Sequence, residues 1–443
     1  MKRPENMRAF RQSEDGALTV FGLYIFATMI LLAAIAIDMT QLITARTQLQ
    51  ATADQAAHAA LYSRDTNSAE TAKLAALNIV ETAMPKDKFG QIITLEDITF
   101  GTFDYVSGGF LEDPTSRKSV LINSGRLSET GNPVTTLLLD LIGYSSYDMT
   151  AQSIFTTYRP ACFREGFVAN DEVDIQSNNA FTNGFCIHSN SYVSLNSNNI
   201  FDEGTVVSMP NLADLDLPNS GWETNEGLQS ALREGSYRLR IINKLEDIID
   251  GLLNADPDVL PDYVDETLSP IYMTPPSGKG LSMSDLTTGR VHYLDCHNNG
   301  VLKLYDDSKT VMAISNVVIL TPCEIQFGQE VVIEDAIIAT TNTYVKAITS
   351  SSNLQIGRDD NCAAGGGAQI LSMGGMEFSS GLSIFGSQLL AKKDIAFTAN
   401  ADGIQGASII SEGSISGTSN MNMGFCGTGM ESNFEAEYFR LAH

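Results

Sequence analysis

The chain has 443 residues, with 27 Lys and Arg against 53 Asp and Glu, a formal net charge of -26 and six cysteines. At about 100–200 residues per domain this length sets two to four domains, and a hydrophobic fraction of 43% excludes a multi-span transporter. The acidic balance excludes general nucleic-acid binding, because phosphate contacts need clustered Lys and Arg.

The first element is an apolar run, ALTVFGLYIFATMILLAAIAI from Ala17 to Ile37, 21 residues without a charge. As a helix it covers about 31 Å, the thickness of a bilayer's hydrocarbon core. Lys2, Arg3, Arg8 and Arg11 lie before it, and Arg46 alone among basic residues lies in the fifteen positions after it. This asymmetry puts residues 1–16 in the cytoplasm, a transmembrane helix at 17–37, and the rest outside. A cleavable signal would have an apolar core of about 7–15 residues with a small-residue cleavage site beyond it. Here Ala33, Ala34 and Ala36 sit inside the run, which reads as a permanent anchor.

Residues 38–91 continue as an extracytoplasmic helix. The stretch to about Ala83 has neither Gly nor Pro and is rich in Ala, Leu, Gln and Glu, which lose little freedom in a helix. Leu42, Ala45, Leu49, Ala53, Ala56 and Ala60 form a small-residue face at helical spacing. A break is expected near Arg64-Asp65-Thr66-Asn67, and Pro85 ends the run.

Residues 8 to 61 combine basic residues, Glu14-Asp15-Gly16, the apolar span, Asp38, Arg46, Leu49-Gln50, Asp54-Gln55-Ala56-Ala57 and Ala59-Ala60. In this order they resemble the TadG-like family of the bacterial tight-adherence (Tad/Flp) pilus assembly system. The resemblance implies a single-pass inner-membrane protein with its bulk in the periplasm. Related prepilins place Gly before the apolar helix and Glu five residues later, but here Gly16 is followed by Phe21 at that place. The resemblance therefore implies an uncut anchor.

Residues 92–160 read as a small α+β unit, with strands at Ile98 to Asp104, Ser119 to Ile122 and Met149 to Thr156. A helix is expected from Thr135 to Ile142, ending at Gly143. From Cys162 the composition shifts to Asn, Ser, Gly, Thr and Ile, with very short apolar-alternating pieces turned by Gly, Asn or Ser. The expected architecture is α+β overall. The anchor and long helix lead to the small unit, then to a large β-rich domain read as a right-handed parallel β-helix. It has β-rich regions at 161–224 and 291–443 and a helical and loop insertion at 225–290. A sandwich or jelly roll stays open. Helical apolar spacing runs from Glu226 to Asn254, with a loop from Pro261 to Pro276.

All six cysteines, Cys162, Cys186, Cys296, Cys323, Cys362 and Cys426, follow the span, and an even count in an oxidising compartment points to disulfides. Neighbours along the chain are favoured: Cys162–Cys186, Cys296–Cys323 and Cys362–Cys426. Cys186 with His188, and Cys296 with His297, lack the paired spacing of zinc sites. Asp306 to Thr310 loosely matches an Asp-x-Ser-x-Ser metal loop but reads as a hairpin turn. Gly365 to Gly367 lacks the Lys-Ser/Thr and helix of a phosphate cradle. Asp174, Asp202, Glu334 and Asp335 are the carboxylates that a carbohydrate-cleaving β-helix would use, but no catalytic spacing is apparent.

The expected function is that of a non-enzymatic membrane-anchored structural or assembly component of the pilus machine. It would act as a periplasmic scaffold or minor pilus-associated protein, with no cofactor, metal or nucleic acid. Its partners would be the membrane and other pilus assembly proteins or pseudopilins, with homo-oligomerisation open. The alternative is a membrane-anchored carbohydrate-binding or carbohydrate-cleaving β-helix protein.

Overall fold

The computed structural model describes residues 16–442 apart from 183, 277–278, 297–299, 307–310 and 418. The basic flank at residues 2–11, His297, residues 307–310 of the expected hairpin turn and His443 lie outside the described residues. Two compact units form, one from residues 1–158 and 437–443, the other from 159–436. The second is thus inserted into the first. The chain is mixed α+β, with an N-terminal apolar helix and a large region of many parallel strands.

In the first unit, helix α1 (Ala17–Arg64) is continuous over 48 residues, about 72 Å at the usual rise. The threonines at 28, 40, 44, 47 and 52 do not disturb it, because each bonds back into the helix: Thr28 Oγ1 donates to the Tyr24 carbonyl and Thr40 Oγ1 to that of Ala36, both at 2.8 Å. The helix stops at Arg64, whose buried guanidinium donates to the carbonyls of Asn67 and Thr115 at 2.8 and 3.0 Å. Ser68 caps the next helix, α2 (Ala69–Ala83), by accepting from the Thr71 amide. Leu49, Ala53, Ala56, Ala57, Ala60 and Leu61 on α1 and Ala72 and Ala76 on α2 are wholly buried.

Strands β1 (Ile98–Phe103), β2 (Phe110–Glu112) and β3 (Ser119–Arg126) follow. A short antiparallel pair, β4 (Val134–Thr135) with β5 (Ser146–Tyr147), precedes β6 (Met149–Tyr158). The main sheet is antiparallel in the order β2, β1, β3, β6 and then Tyr438–Leu441 from the C-terminal end. Ile98, Phe100, Val120 and Ile122 face the helices and complete this core. The helix expected from Thr135 to Ile142 is corrected: only Leu139–Ile142 turns, as a 3-10 helix ended by Gly143 at φ 93°. Polar side chains of α1 capture the backbone of this stretch, as described below, and compete with helical bonding.

Among the described residues of the second unit, 23 strands pair in parallel. Phe167 pairs with Ile187, Val173 with Val193 and Phe181 with Phe201, so three strand positions recur every 20 residues. The same three ladders run through the later coils, for example Ile370 on Leu389 and Leu389 on Ile409. A sandwich or jelly roll would instead be built from antiparallel pairs. Phe167, Val173, Phe181, Ile187, Val193 and Phe201 point into one apolar interior shared by all coils.

The helical spacing expected over 226–254 is broken into Leu228–Ala231, the strand Leu232–Glu234, Arg240–Asn243 and Leu245–Leu253. The reason is that its apolar residues serve two surfaces. Leu228 and Ala231 close the interior, whereas Leu239, Ile242, Leu245, Ile249 and Leu252 cover the outer side of one ladder. That ladder is consequently buried on both faces, as Gly166–Ala169 is at every residue, while Val173–Ile175 alternates. Within the expected loop 261–276, Ile271–Met273 forms a strand on His292 to Leu294.

The coils do not stack in chain order. The last coil lies on the first: Ser408 to Ser411 pair with Gly166 to Ala169, Ile415 with Val173 and Asn422 with Ala180. Asn178, Asn198 and Asn420 turn one corner in the left-handed region at φ 64°, 63° and 62°, where Asn is tolerated. Their amides bond along the stack at 3.2 Å, Asn178 to Asn420 Oδ1 across this seam and Asn198 to Asn178 Oδ1 beside it. The buried Glu165 carboxylate, between Cys162 and the first strand, accepts the amides of Cys426 and Gly427.

Candidate membrane anchor and its seat

The N-terminal part of α1 is bare. Leu18, Phe21, Leu23, Tyr24, Phe26, Met29 and Leu32 are all exposed, Leu18 at 84% and Tyr24 at 70%. Among the described residues this is the one helix long and apolar enough to cross a membrane by length and composition. The Thr28 hydroxyl, near the middle of the run, is satisfied within the helix, as a hydrocarbon environment requires.

Where the apolar run ends, the chain is seated. Asp38 is wholly buried, and its carboxylate accepts the amides of Leu137, Leu138 and Leu139 at 2.8, 2.9 and 2.6 Å. Such charge-assisted bonds are about twice as strong as neutral ones. Gln41 Nε2 donates to the Thr135 carbonyl at 2.9 Å, and Gln50 Nε2 to that of Gln152 at 2.9 Å. Together these bonds join the helix above the apolar run to β4, the following loop and β6. The sequence marks Asp38 only as the end of the run. Its partners are backbone groups about a hundred positions on, for which no side-chain motif exists.

The cysteines are paired in the second unit as Cys162–Cys186, Cys296–Cys323 and Cys362–Cys426, with Cα atoms 4.9, 5.7 and 5.8 Å apart. His188, two residues from Cys186, is wholly buried, with Nδ1 2.7 Å from Ser208 Oγ and Nε2 3.0 Å from Asn190 Oδ1. Burial pushes its pKa below the ordinary value, against the hydrogen bonds with Asn190 and Ser208. No group of three or more His, Cys, Asp or Glu able to hold a metal occurs among the described residues.

The four candidate carboxylates are not brought together. Asp174 lies on Val173–Ile175, and Asp202 is exposed after Ile200–Phe201. Glu334 and Asp335 lie on Val331–Thr340 and are bound by Arg358 at 3.1 and 3.0 Å. Burial raises the Asp174 pKa, the Gln176 amide opposes it, and the Asp216 charge adds to the rise. The Gly365 to Gly367 loop is tied down by a 2.6 Å bond from the Gly366 amide to Asp335 Oδ1.

A family model described as a domain of unknown function, DUF7867, matches residues 166–427. That match covers more than half of the chain. The chain belongs to the DUF7867 family. The DUF7867 region begins at the first strand of the coil stack and closes just after Cys426, so it contains both runs of coils and the helical segment between them. A second model, described as putative Flp pilus-assembly TadE/G-like, matches residues 16–72, outside the DUF7867 region. It covers the apolar run, the rest of α1 and the start of α2. No curated protein and no solved structure matches the chain.

Proposed function

We propose that this DUF7867 protein is a non-enzymatic, membrane-anchored structural component of a Tad/Flp pilus-assembly machine. The observation that carries the proposal is the coincidence of the TadE/G-like match at 16–72 with a bare apolar helix seated by Asp38 where the apolar run ends. In this reading residues 17–37 cross the inner membrane, the basic N-terminal flank stays in the cytoplasm, and both units lie in the periplasm. The disulfides suit such an oxidising compartment. The coil stack is a parallel β-helix acting as a scaffold or minor pilus-associated module, presenting surface to other assembly proteins.

The test is deletion of the coding sequence in the cell of origin, with complementation by the full chain. Loss of surface pili and their return on complementation, with the chain recovered in membranes at full length, are expected. Unchanged pili after deletion would overturn the role. A mature chain beginning after Gly16 and spread along sheared pili would overturn the uncut anchor.

The second reading, an anchored carbohydrate-binding or carbohydrate-cleaving protein, is favoured by one observation. Asp174 and Asp216 each align with Ser194 in one ladder, and Ser194 Oγ lies 3.3 Å from Asp216 Oδ2. Failure to bind or cleave any of a panel of acidic polysaccharides would remove it.

A further inference from the structure

We infer that the loop from Leu137 to Tyr144 is a second membrane contact, seating Leu137, Leu141, Ile142 and Tyr144 in the interfacial layer beside the anchor. This inference rests on the anchor reading of residues 17–37. The stretch LLLDLIGY would ordinarily be core, yet Leu139 alone among its large apolar residues is buried. Leu137 is 63% exposed, Leu141 84%, Ile142 54% and Tyr144 59%.

The loop is held in that bare position. Its base is the β4–β5 pair, the Thr136 hydroxyl donates to the Tyr144 carbonyl, and Asp38 grips the amides of residues 137–139. The grip fixes its level on the helix, because Asp38 directly follows the apolar run. Ala34, one turn further into the run, is also covered, at 8% exposure, between exposed neighbours. Four residues of helix are about 6 Å, and the interfacial layer on each side of the hydrocarbon core is of similar depth. The exposed leucines and isoleucine therefore lie where the anchor leaves the hydrocarbon.

Composition favours lipid over a protein occupant. Tyr144 and the partly exposed Tyr147 have the amphipathic ring that settles at the membrane–water boundary. Asp140 is the one charged residue from Val134 to Tyr147, so attachment would come from apolar burial and not from attraction to anionic headgroups. A protein partner would have to enter the space beside the anchor, which the reading gives to the bilayer.

The test uses the full chain reconstituted in phosphatidylcholine vesicles. Trp222, the one tryptophan, is replaced by Phe, and single tryptophans are introduced as Ile142→Trp, Phe26→Trp or Val106→Trp. Val106 is 97% exposed in the same unit and serves as the aqueous reference. Lipids brominated near the headgroup or deep in the acyl chain report depth, and acrylamide reports water access. We expect Phe26→Trp to be quenched by deep bromine and Val106→Trp by acrylamide alone. Ile142→Trp should be quenched by shallow bromine, with acrylamide quenching several-fold weaker than in Val106→Trp. If Ile142→Trp behaves like Val106→Trp, or is shielded from both quenchers by protein, the inference is overturned while the anchor stands. If Phe26→Trp also escapes bromine, the anchor reading fails with it.

Discussion

Two lysines in the bare run test whether it holds the chain in a membrane. Phe26 and Ile30 are 62% and 53% exposed, so Phe26→Lys and Ile30→Lys leave the folded units intact. Residues 17–37 contain eleven Leu, Ile, Phe or Val residues. At about 0.3–0.6 kcal/mol each these favour insertion by roughly 3–7 kcal/mol in total. A lysine near the centre costs about 2.5–3.5 kcal/mol, and the lost apolar residue brings each substitution to about 3–4 kcal/mol. One lysine should weaken retention, and the pair, at about 6–8 kcal/mol, should cancel it. The assay is alkaline carbonate extraction of isolated membranes. Wild type and Phe26→Leu should remain in the pellet, Phe26→Lys should divide between fractions, and the double variant should be released. A double variant still held in the pellet would refute the reasoning, because retention would then not come from this helix.

Three further outcomes follow from buried polar groups. Asn199 is wholly buried, and its Oδ1 accepts both the backbone and side-chain amides of Asn179 at 3.0 Å. Asn199→Ala should lower the urea-unfolding free energy by about 2–4 kcal/mol, whereas the exposed Asn196→Ala should stay within about 0.5 kcal/mol. Burial pushes Glu165 above its ordinary value of 4.5 against the Cys426 and Gly427 amides. The folded chain then holds a proton that the unfolded chain releases, so this group's contribution to stability is full below 4.5 and falls as pH rises through the raised value. A pH series should show wild type losing stability relative to Glu165→Gln across that window, and parallel curves would contradict the assignment. Asp38→Ala should raise hydrogen exchange at the amides of Leu137, Leu138 and Leu139, with Asp38→Asn intermediate and distant strands unchanged.

What the residues disclosed depended on how local the determinant was. The apolar helix was legible because 21 uncharged residues suffice to specify it, and β1, β3 and β6 were legible from alternation and turn residues. The stretch after Thr135 misled because its amides bond to Asp38 on a helix about a hundred positions earlier. The broken helix at 226–254 misled because its helical spacing merged residues of the interior with residues covering the outside. Tyr438–Leu441 follows the coil strands in sequence, but belongs to the first unit and pairs there with β6. Nothing in Ser408 to Ser411 announces that its partner is Gly166 to Ala169, since parallel pairing has no turn to set its register.

That closing of the last coil on the first has a consequence for how the chain is made. The coil at 166–181 gains one neighbour from residues 186–201, but its other edge waits for residues 408–424. At about 5–20 residues per second, synthesis leaves that edge open for roughly 12–50 s. An open parallel edge invites pairing with other chains, and non-local pairings of this kind form slowly. Coil-by-coil growth along the nascent chain therefore cannot complete this stack. Its final step is a closure of distant partners, and truncation before residue 408 would add two open edges, at Gly166–Ala169 and Gln388–Ala391, to those that the stack already has at Leu232–Glu234 and Ile271–Met273.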